Sequence, residues 1–395
     1  MKRRNFLAGA AVPLFPALAA EAAPPPKPGR VRVTGVRLVP LRTIRQAGSM
    51  EPAWALGTRM NFAVGGGAYL EILTDQGPIG IGHPPSAAAI PTIREYLTGK
   101  DPFDAEVHFP ALSKATSYRD AACVEMACWD LVGKCCGQPL YKLWGGGKDK
   151  VRAYASMVAL STPEERAEMA VRLQQEGWKG FKLRFHFPTM KEDLRVFEAV
   201  RKAAGSDLDL MVDANQSFPV KMGIEWDFNR ALETARALQS MKCYWLEEPL
   251  KRDDYDGQAK LCGMVEVAIS GGEVHHDLSI FATLMRNKVF DVLNPEGAEL
   301  GIAGLRKVTA AAAVFGMPVV PHNGLLRIGT IAHLHAIAAS PNADYVELIH
   351  DPPIGSYLHN FAVFQNPPLV DKDGFLPVPQ GPGLGVEINP DMIAR

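Results

Sequence analysis

Hydrophobic and polar positions divide the chain into two regimes. From Val31 to Arg42 the residues alternate as a half-buried strand does. Tyr69–Thr74 repeats that pattern, and the turn Asp75-Gln76-Gly77-Pro78 leads into a third strand at Ile79–Gly82. Helical periodicity follows at Ala89–Leu97 and Ala121–Gly133. Residues 31–147 therefore read as a small α+β domain ending near Gly145-Gly146-Gly147. Arg45 to Asn61 carries few regular signals and reads as a mobile loop.

From Val151 the rhythm changes to strand then helix, repeatedly. The predicted strands are Val151–Met157, Phe181–Phe185, Asp209–Ala214, Tyr244–Glu247, Val267–Gly271, Val289–Leu293, Pro318–Pro321 and Tyr345–Leu348. The clearest helices are Glu164–Glu176, Asp193–Ala204 and Phe228–Ser240. Eight strands separated by helical patterns predict a (β/α)8-type barrel, a modified TIM barrel, over residues 148–366. The Pro- and Gly-rich segment 367–395 is expected to pack back on the small domain.

The strand ends carry the chemistry. Lys182, Asp213, Glu247, Glu273, Glu296, His322 and Glu347 close successive strands, about one per βα unit. Lys182 and Arg184 stand two apart, so a strand turns both to one face. An isolated acid after a strand is usually a helix cap or a solvated end. Three in successive units, at Asp213, Glu247 and Glu273, point to a hard divalent cation, and oxygen ligands favour Mg2+. A lone histidine at a strand end is more often packed than reactive. For His322, however, Glu296 ends the preceding strand and can orient one ring nitrogen. His275, His276 and His350 read as loop residues.

The 395 residues hold 42 basic and 43 acidic side chains, a net charge of −1. This balance gives no footprint for nucleic acid or a membrane surface. The apolar share, 47 %, allows a sizeable core. The six cysteines match neither a zinc site nor a compact disulfide framework and read as buried free thiols. Lys2-Arg3-Arg4 before an apolar stretch to Ala20 reads as a cleavable signal over residues 1–23, with Arg3-Arg4-x-Phe6-Leu7 of twin-arginine type. Residues 24–30 form a linker. The expected location is periplasmic or exported, with no membrane contact after cleavage.

Several motifs resemble the enolase superfamily, in its mandelate racemase-like branch. Val124-Glu125-Met126-Ala127-Cys128-Trp129-Asp130-Leu131-Val132-Gly133-Lys134, with Gly137-Gln138-Pro139-Leu140 and Leu143-Trp144-Gly145-Gly146, is similar to the stretch that joins that family's capping domain to its barrel. Val212-Asp213-Ala214-Asn215-Gln216, Trp245-Leu246-Glu247-Glu248-Pro249 and Gly272-Glu273 resemble its three metal-ligand motifs. The resemblance implies Mg2+ on Asp213, Glu247 and Glu273. It implies a catalytic role for His322 and a carboxylate-binding role for Glu347. It also implies a capping domain whose 45–61 segment reads substrate, and a homo-oligomer. Two residues depart from the pattern: Arg184 stands where the family has a second lysine, and Glu296 where it has Asp. The Asn294–Leu300 stretch has no lysine, which argues against the muconate-lactonising branch.

The chemistry implied is removal of a proton α to a carboxylate through an enediolate, aided by Lys182 and by Glu347, protonated or hydrogen-bonded. Arginine stays protonated and makes a poor base. His322 then acts on one face, which suits β-elimination of water from a sugar acid. A racemase or epimerase, and a periplasmic sugar-acid binding protein without turnover, are the alternatives. In all three the partner is a small carboxylate.

Overall fold

The computed structural model describes residues 31–218 and 224–394. The signal and linker read in residues 1–30 lie outside them. Strands β1 (Val33–Pro40), β4 (Ala68–Thr74) and β5 (Ile79–Gly82) form an antiparallel sheet in the order β1-β4-β5, while β2 (Thr43–Met50) and β3 (Met60–Gly65) make a separate hairpin. Helices α1 (Ile90–Leu97), α2 (Ala105–Ala115) and α3 (Tyr118–Cys136) cover the sheet through Leu70, Ile72, Ile93, Leu97, Leu112 and Val124. Ser117 caps α3 by accepting the Asp120 N–H (3.0 Å), and Gly137 ends it at φ 64°, a left-handed cap that suits glycine. The short α4 (Leu140–Leu143) leads into the second half.

That half alternates strand and helix: β6 (Lys150–Ser156), α5 (Pro163–Gln175), β7 (Gly180–Arg184), α6 (Met190–Ala204), β8 (Asp209–Asp213), α7 (Phe228–Ser240), β9 (Trp245–Glu247), α8 (Tyr255–Cys262), β10 (Ala268–Gly271), α9 (Leu278–Arg286), β11 (Val292–Leu293), α10 (Gly297–Val314), α11 (Ile328–Ala338) and β12 (Tyr345–Ile349). The parallel strands curl in the order β11-β10-β9-β8-β7-β6-β12. Capping boxes at Thr162/Glu165 and Thr189/Glu192 start α5 and α6. Burial on both faces explains why β7 reads as an unbroken run, Gly-Phe-Lys-Leu-Arg, with all five residues buried.

Three expectations need correction, and one helix is additional to them. Pro318–Pro321 forms no full strand. It holds the seventh position through single bridges, Leu293 with Val319 and Glu296 with His322, because two prolines lack ladder donors. The 45–61 segment is a paired hairpin. Its β2 residues are mostly exposed on both faces, so no alternation marks them. Helix α2 went unread, with Pro110 inside it. Cys136 is exposed and Cys262 half-buried, whereas the other four free thiols are buried.

The tail has two attachments. After the short helix α12 (Tyr357–Phe361), strand β13 (Phe375–Pro377) pairs antiparallel with β6. The chain then returns to the first domain, where Leu384 N–H donates to Asp130 (2.8 Å) and Ala394 N–H to the Pro40 carbonyl (2.9 Å). Among the described residues no helix is long and apolar enough to cross a membrane.

Candidate active site

The ionisable residues gather at the C-terminal ends of the parallel strands, where barrel sites are built. On β7, Phe181 and Leu183 join the surrounding apolar core, while Lys182 and Arg184 meet the carboxylates. The Lys182 ammonium is fully buried, 2.9 Å from Glu247 Oε2, 2.9 Å from Glu347 Oε1 and 3.6 Å from Asp213 Oδ2. Burial alone would lower its pKa; Glu247 and Glu347 outweigh that and hold it well above the usual lysine value. The Tyr154 ring lies beneath it at 5.5 Å.

Arg184 is locked. Its Nε donates to the Met157 carbonyl (2.8 Å), Nη2 to Ser156 Oγ (3.0 Å) and Nη1 to Asn215 Oδ1 (3.1 Å), with an ion pair to Asp213. Burial acts to lower its pKa, and Asp213, Glu347 and Glu247 raise it overall, so the guanidinium keeps its charge. Asp213 also accepts from the backbone and side chain of Asn215 (2.8 and 3.0 Å).

Across the mouth, His322 Nδ1 lies 2.7 Å from Glu296 Oε2 and Nε2 lies 3.4 Å from Glu273 Oε2. Burial lowers the imidazole pKa, yet Glu273, Glu296 and Glu347 raise it well above 6.5. Glu296 also caps α10 by accepting the Ala298 N–H (2.7 Å) and bonds the Gly324 N–H. Burial would raise Glu347, but Lys182, His322 and Arg184 hold it far below the usual carboxylate range. Of the two forms considered from sequence, this direction and the 2.9 Å contact with Lys182 favour the hydrogen-bonded carboxylate.

The acids fit a hard cation in charge and chemistry. Glu273 Oε2 is buried without a hydrogen-bond partner. Burial, with Asp213, Glu347 and Glu273 adding to it, raises Glu247 to about 8 despite Lys182. Burial and the charge of His322, acting in opposite senses, leave Glu273 raised. Such mutually repelling, desolvated carboxylates are the donor set Mg2+ prefers. Among the described residues they are not gathered into a ready cage: Asp213 is turned onto Arg184, Glu247 onto Lys182, and Glu273 faces His322.

Two residues of the site have no role assigned from the sequence. Glu248, fully buried at φ 47°, has neither carboxylate oxygen bonded, and burial with Glu273 and Asp213 pushes its pKa well up. Its adjacency to Glu247 was the available signal, although strand alternation sends neighbours to opposite faces. His333, on the apolar α11, lies 3.5 Å from Glu296 Oε1 and gave no signal. Of the histidines read as loop residues, His350 stacks on Trp178 at 4.7 Å and His275 is buried, while His276 packs on Tyr118 at 4.6 Å.

Residues 164–392 match the enolase C-terminal domain-like family. This chain belongs to the enolase superfamily. Its mandelate racemase-like character is shown by the crystal structure of a putative mandelate racemase from Bordetella bronchiseptica RB50, which superposes with a TM-score of 0.78 at 27 % identity, covering 92 % of this chain and 95 % of that one. Arabinonate dehydratase of Saccharolobus solfataricus is 32 % identical over 276 residues, covering 67 % of this chain and 68 % of that one. D-galactarolactone cycloisomerase of Agrobacterium fabrum is 29 % identical over 350 residues, covering 82 % and 90 %. The crystal structure of D-glucarate dehydratase from Agrobacterium tumefaciens complexed with magnesium superposes with a TM-score of 0.78 at 27 % identity, covering 90 % of this chain and 96 % of that one. Within the superfamily fold, the β2–β3 hairpin lies over the barrel mouth. Ala53 N–H donates to the Val158 carbonyl (2.8 Å), and Trp54 covers Arg184.

Proposed function

We propose that the chain is a Mg2+-dependent acid-sugar dehydratase that removes the proton α to the carboxylate and expels the β-hydroxyl, giving a 2-keto-3-deoxy acid. The observation that carries this reading is the opposition of one imidazole and one locked guanidinium. His322, backed by Glu296, faces Glu273, whereas Arg184 is held by Ser156, Met157, Asp213 and Asn215. A second base on the opposite face, which racemisation needs, is thereby missing from the Arg184 position.

Asp213, Glu247 and Glu273 would hold the metal. A cation bound there would neutralise these carboxylates and polarise the substrate carboxylate. The protein's own residues do the rest. Lys182 donates to the developing enediolate oxygen, with Glu347 fixing the ammonium at 2.9 Å. His322 Nε2 takes the α-proton and delivers it to the leaving hydroxyl, so proton and water balance within one residue. Glu296 accepts from Nδ1–H and stabilises the imidazolium between the two steps.

Mono- and diacid sugars incubated with Mg2+ and scored for 2-keto acid by semicarbazide test this reading. Semicarbazone formation with at least one sugar acid supports it. Deuterium incorporation in D2O without 2-keto acid would replace it by racemisation or cycloisomerisation. The proposal includes export through the residue 1–23 signal and assembly into homo-oligomers. N-terminal sequencing of periplasmic protein and light scattering check those two points.

A further inference from the structure

Glu296 has a second histidine on its far side. His333 is 1 % exposed, and neither ring nitrogen has a hydrogen-bond partner. Its neighbour on the same helix, His335, bonds the Leu384 carbonyl at 3.0 Å, so this helix does not generally leave imidazoles unpaired. An unmade hydrogen bond at a buried polar group is a substantial cost. The polar atom facing His333 is Glu296 Oε1, 3.5 Å from Nε2. Burial keeps the His333 imidazole neutral, hence able to donate one N–H.

The backbone makes room for this approach. A Cβ on Gly297 would lie 2.2 Å from His333 Nε2, and one on Gly324 would lie 2.6 Å from Glu296 Oε2. Two glycines thus flank one carboxylate, one clearing space for His333 and the other for the His322 side. The extra methylene of Glu over Asp lets the carboxylate extend between the two rings from the N-cap of α10.

We propose that His333 is a positioning residue for the dehydration: it completes a line His322–Glu296–His333 and holds the Glu296 carboxylate in the orientation that points His322 Nε2 at the substrate. His333 keeps its N–H throughout and loses no proton. A hydrogen bond made across the 3.5 Å from Nε2 to Oε1 would balance the pull of His322 on Oε2 and keep Glu296 ionised while the imidazolium exists. The inference rests on His322 acting as the base.

The test compares His333→Phe with His333→Gln, whose amide can still donate. The Phe variant is expected to lose about tenfold in kcat with KM within about twofold, the worth of one hydrogen bond to a charged group. The Gln variant should recover most of the loss. In 15N-histidine-labelled resting protein, the His322 Nδ1–H resonance should shift or broaden in the Phe variant and persist in the Gln variant. Unchanged kcat and resonance in the Phe variant would overturn the proposal, as would equal losses in both variants. The resonance needs no substrate. If the wild type turns over no sugar acid, the functional reading fails while this comparison still decides the role of His333.

Discussion

The guanidinium carbon of Arg184 lies 4.6 Å from the centre of the Trp54 ring. One residue belongs to the β2–β3 hairpin segment and the other to a barrel strand beside Asp213, so this contact ties the cover of the mouth to its floor. A desolvated cation–π pair contributes about 2 kcal/mol and an exposed one about 0.5–1. Trp54→Ala should therefore raise KM by roughly 3- to 30-fold, with kcat changed far less. Steady-state kinetics check this; a fall confined to kcat would contradict it.

His322→Asn removes the base and leaves Asp213, Glu247 and Glu273 in place. Turnover should fall by about 10²–10⁴. Calorimetric titration with Mg2+ should give an affinity within a few-fold of wild type. Turnover that survives the substitution sinks the assignment of His322.

Lys182 supplies the buried positive charge between Glu247 and Glu347. Its replacement by Met leaves those carboxylates uncompensated, a loss of about 3–5 kcal/mol for a broken buried pair. Mg2+ brings charge to the same cluster. The rise in melting temperature on adding Mg2+ should then be larger in Lys182→Met than in wild type. An equal rise would mean that the metal and the ammonium serve separate carboxylates.

Glu125 gives the protein a pH dependence far from the mouth. It sits fully buried on α3, accepts the Ala303 N–H (3.1 Å) and the Trp129 indole (3.4 Å), and leaves Oε2 unpaired against Gly301, where α10 kinks at φ 69°. Burial raises its pKa from 4.5 to about 7, the bonds from Ala303 and Trp129 opposing. A raised folded-state pKa means that the stabilising contribution is complete below pH 4.5 and is lost as pH climbs through about 7. Stability should fall between pH 5 and 8, by at most about 3 kcal/mol from this group. Glu125→Gln should flatten that slope in denaturant titrations at several pH values. Asp193, raised from 3.8 to about 7 by burial against the opposing Phe187 N–H and Arg230, leaves a residual slope of the same sign in that variant.

The legible parts of this molecule are those where burial and chemistry coincide. Phe181-Lys182-Leu183-Arg184 shows two charges in a run buried on both faces, a combination that few roles other than a site explain. Asp213, Glu247 and Glu273 announce themselves by ending consecutive strands. The β2–β3 hairpin was illegible because its sides meet similar surroundings, which erases alternation. Pro318-Val319-Val320-Pro321 looks apolar enough for a strand, and only its missing donors tell otherwise. His333 sits in Ile331-Ala332-His333-Leu334, where sequence cannot distinguish a packed ring from one aimed at Glu296. Which oxygen each carboxylate gives to Arg184, Lys182 or His322 depends on contacts between residues far apart in the chain.

The stitched tail has a consequence for how the protein is made. Arg42 donates through Nη1 to the Asp391 carbonyl (3.1 Å), and the two residues stand 349 positions apart. The edge of the first sheet closes on a segment that a ribosome delivers roughly 20–70 s later. During that interval the newly made N-terminal sheet lacks its last partners, and β6 lacks the neighbour that β13 supplies. Neither half has its full set of partners until the tail is made, so the last contacts of both form together and late. A chaperone or a quality-control protease thus has one long window in which to act on it.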